Sequence, residues 1–139
     1  MIREHTMRVF MADDSPLVLE RLAQMLAELP GAVELIGQAS QAPEAAEAIR
    51  KLKPDVVILD IRMPGGSGID VLRQIKRERP APVVLMLTNY SYPKYRDMCM
   101  AIGADFFLDK STEFEKIPQI FQRLMQNRRV RNPGLLLAL

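Results

Sequence analysis

Acidic residues follow two of the apolar runs in this 139-residue chain. Asp13 and Asp14 come after the run at 8–12, and Asp60 comes after Val56–Leu59. If both runs are parallel strands of one sheet, their carboxyl ends lie at the same edge and bring the carboxylates together. Two carboxylates about 4 Å apart repel by about 4 kcal/mol at an effective dielectric constant of about 20, which a divalent cation or a lysine would offset. Oxygen ligands of this kind suit Mg²⁺, so the sequence predicts part of a magnesium site.

A hydroxyl group and an ammonium group follow two further apolar runs. Thr88 ends the run that begins at Val83, and Lys110 follows the next run along the chain. Both side chains bind phosphate oxygens. Taken alone, Asp14 could merely support the start of a helix, and Asp60 could begin a turn. Because all these groups occur at neighbouring strand ends, the sequence predicts phosphoryl chemistry.

The elements that must position these groups are short β-branched runs that alternate with longer stretches of helical period. This alternation is typical of βαβ units around a parallel sheet. The third strand is predicted to be central, because its unbroken apolar run indicates burial on both faces. The predicted strands are residues 7–12, 33–39, 55–60, 83–88 and 104–109.

Proline and glycine mark the ends of the predicted helices. Ser15 is predicted to cap the first helix, with Pro16 in its first position. Thr112 and Glu115 fit a capping box for the last helix, and Pro118 in its second turn is expected to separate its first residues. The other helices are predicted at 43–52, from 69 to before Pro80, and at 93–103, with a tight loop at 64–68.

Length and composition indicate one globular domain. The 139 residues leave little room for a second core, and 48% of them are apolar while 26% are charged. We expect an N-terminal arm at residues 1–6, the domain at 7–127, and a C-terminal tail or truncated linker at 128–139.

Charge and cysteine content narrow the expected partners and compartment. A net charge of +2 is too small to imply nucleic acid, and the basic run at 128–131 has no interleaved aromatic residues, so no direct nucleic-acid binding is expected. Cys99 has no second cysteine to pair with, and no signal peptide precedes the first strand. No apolar stretch approaches the roughly 18 residues that span a membrane. We therefore expect a cytoplasmic protein without membrane attachment.

In order and spacing, these residues resemble the response-regulator receiver family of two-component signal transduction. The resemblance covers about residues 7 to 127. It is carried by the acidic pair Asp13-Asp14, by Asp60 with Met63-Pro64 and Gly68 after it, by Thr88 and by Lys110. The resemblance implies an α/β, flavodoxin-like (βα)5 fold, a doubly wound sandwich around a parallel sheet of strand order 2-1-3-4-5.

The resemblance also implies a role for each residue of the cluster. Asp60 would accept a phosphoryl group from a sensor histidine kinase, a phosphotransfer protein or a small donor such as acetyl phosphate. Asp14 would hold Mg²⁺ directly, Asp13 mainly through water, and the backbone carbonyl of Arg62 would complete the protein's ligands. Mn²⁺ can substitute for Mg²⁺ in such a site. Lys110 would pair with the phosphoryl oxygens, as expected when catalysis is mostly positioning and charge neutralisation.

Phosphorylation is expected to act as a switch. It would add about −1.5 to −2 charge at Asp60, and Thr88 would move towards the new oxygens. The resemblance implies that Phe107 then becomes buried, although plain core packing is an alternative role for this side chain. The surface of the last two helices and the fifth strand would change, for homodimerisation or for binding of a downstream target. We expect no enzymatic activity beyond phosphoryl transfer to, and loss from, Asp60.

Two departures from the commonest receiver pattern affect the predicted site. Ser111 stands where the family usually has a proline that is joined to the lysine by a cis peptide. Tyr90 follows the switch threonine by two residues and is larger than the residues often found there. Together with Arg62 it is predicted to cover the phosphoryl group, exclude water and slow autodephosphorylation.

Two other functional classes are compatible with parts of the pattern. A phosphorylation-independent interaction module with the same fold is one alternative, but such modules usually lack an acidic residue or the lysine. A phosphatase of the haloacid dehalogenase type also uses an aspartyl phosphate. It needs a second acid two residues after the nucleophile, where this chain has Arg62.

Overall fold

The computed structural model of the chain describes residues 6–130, with side chains up to residue 127. The predicted arm at 1–6 and the tail at 128–139 therefore lie almost entirely outside the described residues, and their boundaries stay predictions.

Five parallel strands form the main sheet. They are β1 (Met7–Ala12), β2 (Val33–Ala39), β3 (Val56–Leu59), β4 (Val83–Thr88) and β5 (Phe106–Asp109). Their order across the sheet is β2-β1-β3-β4-β5, which confirms the predicted order 2-1-3-4-5. All four residues of β3 are buried between β1 and β4, so the prediction of a central third strand is confirmed.

Helices cover both faces of this sheet. They are α1 (Pro16–Ala27), α2 (Ala42–Leu52), α3 (Gly68–Ile75), α4 (Pro93–Ile102) and α5 (Ile117–Val130). One core cluster contains buried residues of α2, α3 and α4, and the other contains those of α1 and α5. The fold is thus the doubly wound α/β sandwich that the sequence predicts. Among the described helices, none has both the length and the apolar character that a membrane span requires.

The two predicted helix starts differ in outcome. Ser15 caps α1 as expected, since its Oγ accepts the N–H of Val18 at 3.3 Å, and Pro16 is the first helical residue. The capping box at Thr112 was wrong, because the Thr112 N–H donates to the Asp109 carboxylate at 3.1 Å. A 3₁₀ turn at Phe114–Lys116 precedes α5, so the expected separation of the first residues is confirmed.

The predicted tight loop before α3 contains a short hairpin. Residues Arg62–Met63 and Gly66–Ser67 pair as antiparallel strands. Gly68 follows the hairpin, and a Cβ atom at this position would lie 1.8 Å from the carbonyl oxygen of Asp60. The Gly68 N–H donates to the carbonyl oxygen of Ile61 at 2.6 Å. Only glycine allows this approach, which folds the hairpin back against the end of β3.

Candidate functional site

Three carboxylates meet at the carboxyl edge of the sheet, as the sequence predicts. Asp13 follows β1 and Asp60 follows β3, and these strands are paired neighbours. One oxygen atom from each of Asp13, Asp14 and Asp60 lies within 4.8 Å of the others. Asp13 and Asp60 are buried and Asp14 is exposed, so the cluster is open to solvent on one side. Oxygen donors at this spacing are suited to a hard divalent cation.

Lys110 lies between the two buried acids. Its Nζ is 2.7 Å from Oδ2 of Asp13 and 2.9 Å from Oδ2 of Asp60. The Lys110, Asp13 and Asp60 side chains are only 11%, 3% and 7% exposed, so this contact is shielded from water. The other oxygen of each acid accepts a backbone N–H, from Ser15 at 2.9 Å and from Ile61 at 2.7 Å. Both carboxylates are therefore held in fixed orientations.

Burial and pairing act in opposite directions on the titration of these groups. Burial raises the pKa of Asp13, and the hydrogen bond from Lys110 offsets this rise only in part. Burial alone would lower the pKa of Lys110, but its hydrogen bonds to Asp13 and Asp60 outweigh that effect, so its pKa is raised. Lys110 consequently remains a cation at neutral pH.

Thr88 lies at the end of β4, the strand paired with the one that precedes Asp60, and is fully buried. Its Oγ1 accepts the N–H of Tyr90 at 3.0 Å, and its carbonyl accepts the N–H of Lys110 at 2.9 Å. The first of these bonds uses the hydroxyl oxygen only as an acceptor, so the O–H group can still donate. Thr88 thus links the loop after β4 to the loop after β5.

Arg62 and Tyr90 stack on each other in the loops that follow β3 and β4. The Arg62 Cζ atom is 4.7 Å from the centroid of the Tyr90 ring. Arg62 belongs to the short hairpin after β3 and Tyr90 to the loop after β4, so the contact joins the two loops. The predicted shielding by this pair, and the use of the Arg62 carbonyl as a metal ligand, stay predictions.

Phe107 is buried in the core in this structure. The Arg96 Cζ atom lies 5.7 Å from its ring centroid, and an Arg96 Nη donates to its carbonyl at 3.4 Å. These contacts agree with the core-packing alternative, and the switch role of Phe107 stays a prediction.

Asp109, which the sequence interpretation did not single out, organises the loop that carries Lys110. Its carboxylate accepts hydrogen bonds from the Ser91 hydroxyl and from the N–H groups of Ser111 and Thr112. The Ser91 bond, followed by that from Ser111, lowers the pKa of this acid. An aspartate directly ahead of loop residues is a typical signal for a turn of this kind, and it is visible in the sequence.

The peptide bond between Lys110 and Ser111 is trans. Among residues 6–130, the one cis peptide bond is Arg79–Pro80.

Curated relatives are found among bacterial proteins. The chain is 34% identical over 128 residues to the uncharacterized transcriptional regulatory protein YvfU of Bacillus subtilis, covering 92% of this chain and 64% of that protein. It is 37% identical over 122 residues to a protein-glutamate methylesterase/protein-glutamine glutaminase of Alkalilimnicola ehrlichii, covering 83% of this chain and 31% of that protein. The chain thus spans between about a third and two thirds of the length of these relatives.

Solved structures with the same architecture are also similar in sequence. The receiver domain of the putative response regulator NarL from Mycobacterium tuberculosis superposes with a TM-score of 0.79 at 28% identity, covering 88% of this chain and 98% of that one. The isolated REC domain of RcsB from Salmonella enterica serovar Typhimurium gives a TM-score of 0.80 at 26% identity, covering 88% and 90%. The family model for the response regulator receiver domain matches residues 9–122. The chain therefore belongs to the response regulator receiver domains.

Proposed function

We propose that this domain is a phosphorylation-dependent signalling switch in which Asp60 is the phosphoacceptor. The observation that carries the proposal is the position of Lys110, whose Nζ lies 2.7 Å from Asp13 and 2.9 Å from Asp60 within the three-carboxylate cluster. Asp60 is the member of the cluster at the end of the central strand. It is held from one side by the Ile61 N–H and faces the lysine on the other.

The proposed reaction is attack by an Asp60 carboxylate oxygen on a phosphorus atom. With a histidine kinase or phosphotransfer protein as donor, the P–N bond breaks and its electron pair returns to the imidazole. With acetyl phosphate, the P–O bond breaks and acetate leaves. The product is an acyl phosphate on Asp60, and the donor supplies the energy. Lys110 then neutralises negative charge on the transferred oxygens.

The cluster fits a magnesium ion by its donor chemistry. Asp14 and Asp60 offer carboxylate oxygens for direct contact, Asp13 is proposed to act mainly through water, and the Arg62 carbonyl is the further protein ligand. Mg²⁺, or Mn²⁺ in its place, would neutralise charge on the phosphoryl oxygens during transfer. Because Lys110 already contacts Asp13 and Asp60, the protein residues hold one cation at this edge before any metal binds.

Signal output is proposed to begin at Thr88. A phosphoryl group on Asp60 adds charge and acceptor oxygens, to which the Thr88 hydroxyl can donate. Its movement would release the Tyr90 N–H and act on Phe107 in the neighbouring strand. The surface of α4, β5 and α5 would then favour a homodimer or a downstream protein. We propose no catalytic turnover of external substrates and no direct contact with nucleic acid.

The first test is intact mass after incubation with acetyl phosphate and Mg²⁺. We expect one phosphoryl adduct on the wild-type chain and none on Asp60→Asn or in the presence of EDTA. Asp70→Asn is a matched control, because Asp70 is an exposed acid on α3 whose partner is Arg73. An adduct on Asp60→Asn would place the acceptor elsewhere. No adduct with acetyl phosphate, beryllofluoride or kinases would favour the phosphorylation-independent module.

The Arg62–Tyr90 pair is proposed to slow autodephosphorylation by keeping water from the phosphoryl group. The double variant Arg62→Ala, Tyr90→Ala should therefore lose its phosphoryl group several-fold faster than the wild-type chain. The measurement is the decay of the phosphorylated mass after removal of the donor. An unchanged half-life would refute the shielding role, and Arg73→Ala on α3 serves as the control for loss of an exposed arginine.

A further inference from the structure

The carboxylate of Asp109 ties together two loops at the functional edge. Its Oδ1 accepts the N–H of Ser111 at 2.7 Å and that of Thr112 at 3.1 Å, and its Oδ2 accepts the Ser91 hydroxyl. The backbone of Asp109 is held as well, since its N–H donates to Glu113 Oε1 at 3.0 Å and its carbonyl accepts the Glu113 N–H at 2.9 Å. One side chain thus fixes the loop after β5 and attaches it to the loop after β4.

Lys110 lies in the chain between the residues that these hydrogen bonds hold, Asp109 and Ser111. Asp109 is paired with Thr88 at the end of the sheet, and the Lys110 N–H donates to the Thr88 carbonyl. The backbone is therefore fixed immediately before and after Lys110. A lysine side chain has about 2 kcal/mol of rotamer entropy, so a fixed backbone is needed to restrict where its ammonium group lies. That group reaches both Asp13 and Asp60.

We infer that Asp109 is the positioning residue that keeps the Lys110 ammonium group over Asp60 and thereby speeds phosphoryl transfer. The inference rests on the proposed function, in which Lys110 contacts the phosphoryl oxygens. It also gives Ser111 a role, because Ser111 supplies a backbone N–H that a proline at this position could not donate. The acidic acceptor at 109 and the non-proline residue at 111 form one unit in this chain.

The test is the phosphorylation rate of the full chain with acetyl phosphate, followed by intact mass over a series of Mg²⁺ concentrations. Asp109→Ala removes all three side-chain bonds and should lower the maximal rate by about 3- to 10-fold, since small misplacements of catalytic groups are costly. The Mg²⁺ concentration at half-maximal rate should stay the same, because the three carboxylates are untouched. Asp109→Asn keeps an acceptor oxygen for both N–H groups and should restore the rate to within about twofold of wild type.

Asp105→Ala is the matched control at the opposite end of β5. The Asp105 carboxylate also accepts a backbone N–H, from Val84 at 2.8 Å, and the Lys76 ammonium group at 2.8 Å. Its removal should lower stability without slowing phosphorylation. Urea unfolding of each variant checks that the chain is folded. If Asp109→Ala does not fold, Ser91→Ala removes a single bond to the same carboxylate and should still slow the reaction.

The outcomes separate the inference from the proposed function. A wild-type chain that takes no phosphoryl group overturns the proposed function and this inference with it. A wild-type chain that reacts, together with an Asp109→Ala variant of equal rate, overturns the inference alone. Equal slowing by Asp105→Ala would reflect general destabilisation and would refute positioning. No recovery in a folded Asp109→Asn variant would also refute it, because acceptance of the Ser111 and Thr112 N–H bonds would then not set the rate.

Discussion

Lys110 neutralises two acids that would otherwise repel each other at the edge of the sheet. Its ammonium group contacts Asp13 and Asp60 at hydrogen-bond distance, and all three side chains are nearly buried. Replacement of a whole buried ion pair by apolar residues often costs little stability. Removal of one partner, in contrast, leaves a buried charge without compensation. The lysine therefore matters for the folded state as well as for the proposed chemistry.

Lys110→Met should lower the free energy of unfolding in the absence of metal by about 2 to 4 kcal/mol at neutral pH. The loss should be larger at pH 8 than at pH 5. The pKa of Asp13 is already raised by burial, and it would rise further without the hydrogen bond from Lys110. A carboxyl group whose folded pKa lies above its unfolded value destabilises the native state progressively as pH rises through those values.

Urea unfolding at the two pH values measures this difference. Lys76→Met is the control, because Lys76 pairs with a single, more exposed carboxylate, that of Asp105. Its effect should be smaller and nearly equal at both pH values. Equal losses for Lys110→Met at pH 5 and pH 8 would contradict the idea that ionised, unpaired acids cause the loss.

At the scale of elements, the contact between the short hairpin and the end of β3 depends on Gly68. Gly68→Ala should lower the free energy of unfolding by about 3 kcal/mol or more, because the new Cβ atom would overlap the backbone carbonyl of Asp60, which cannot move without disturbing the strand end. Gly37→Ala is the matched control. There the three atoms nearest to a Cβ atom would belong to side chains, those of Phe10 and Leu52, at 3.0 to 3.2 Å.

Denaturant unfolding of the two alanine variants distinguishes the environments. Side chains can shift by a few tenths of an ångström, so Gly37→Ala should cost about 1 to 2 kcal/mol, clearly less than Gly68→Ala. A Gly68→Ala variant as stable as Gly37→Ala would mean that the loop after Asp60 can move freely. The hairpin would then not be a fixed support for the site.

The elements differ in how far the sequence could predict them. Four of the main strands, β1, β3, β4 and β5, are visible as apolar runs that are largely buried, and the end of β4 is predicted to the residue at Thr88. The edge strand β2 is mostly exposed or half-buried, with only Ala39 buried, and it is visible by its position in the βα alternation. The short hairpin has two residues per strand, too few for any period to appear. The predicted cap at Thr112 was wrong because the Thr112 N–H donates to the nearby Asp109 carboxylate. The hydrogen bond from Ser91 to the same carboxylate joins two loops that are far apart in sequence. Such contacts exist only once the sheet has aligned the strand ends.

At the scale of the whole molecule, a divalent cation that binds only the folded cluster should stabilise the protein. At a Mg²⁺ concentration ten times the dissociation constant, the gain should be about 1.4 kcal/mol. Asp14→Asn should lose most of this gain while remaining folded, because Asp14 is exposed. Thermal unfolding with and without Mg²⁺ measures the difference, and Asp70→Asn should keep the full gain as an exposed acid away from the cluster. An equal Mg²⁺ effect in Asp14→Asn would place the binding site elsewhere.

The position of Lys110 also bears on the order in which the protein is assembled. If a metal ion were needed to offset the repulsion between the two buried acids, the chain would fold only in the presence of that metal. Here the compensating charge is part of the polypeptide, on the residue that follows the fifth strand. We therefore expect the chain to fold in the absence of the proposed Mg²⁺. An ion bound at the cluster would then add stability to a fold that does not require it.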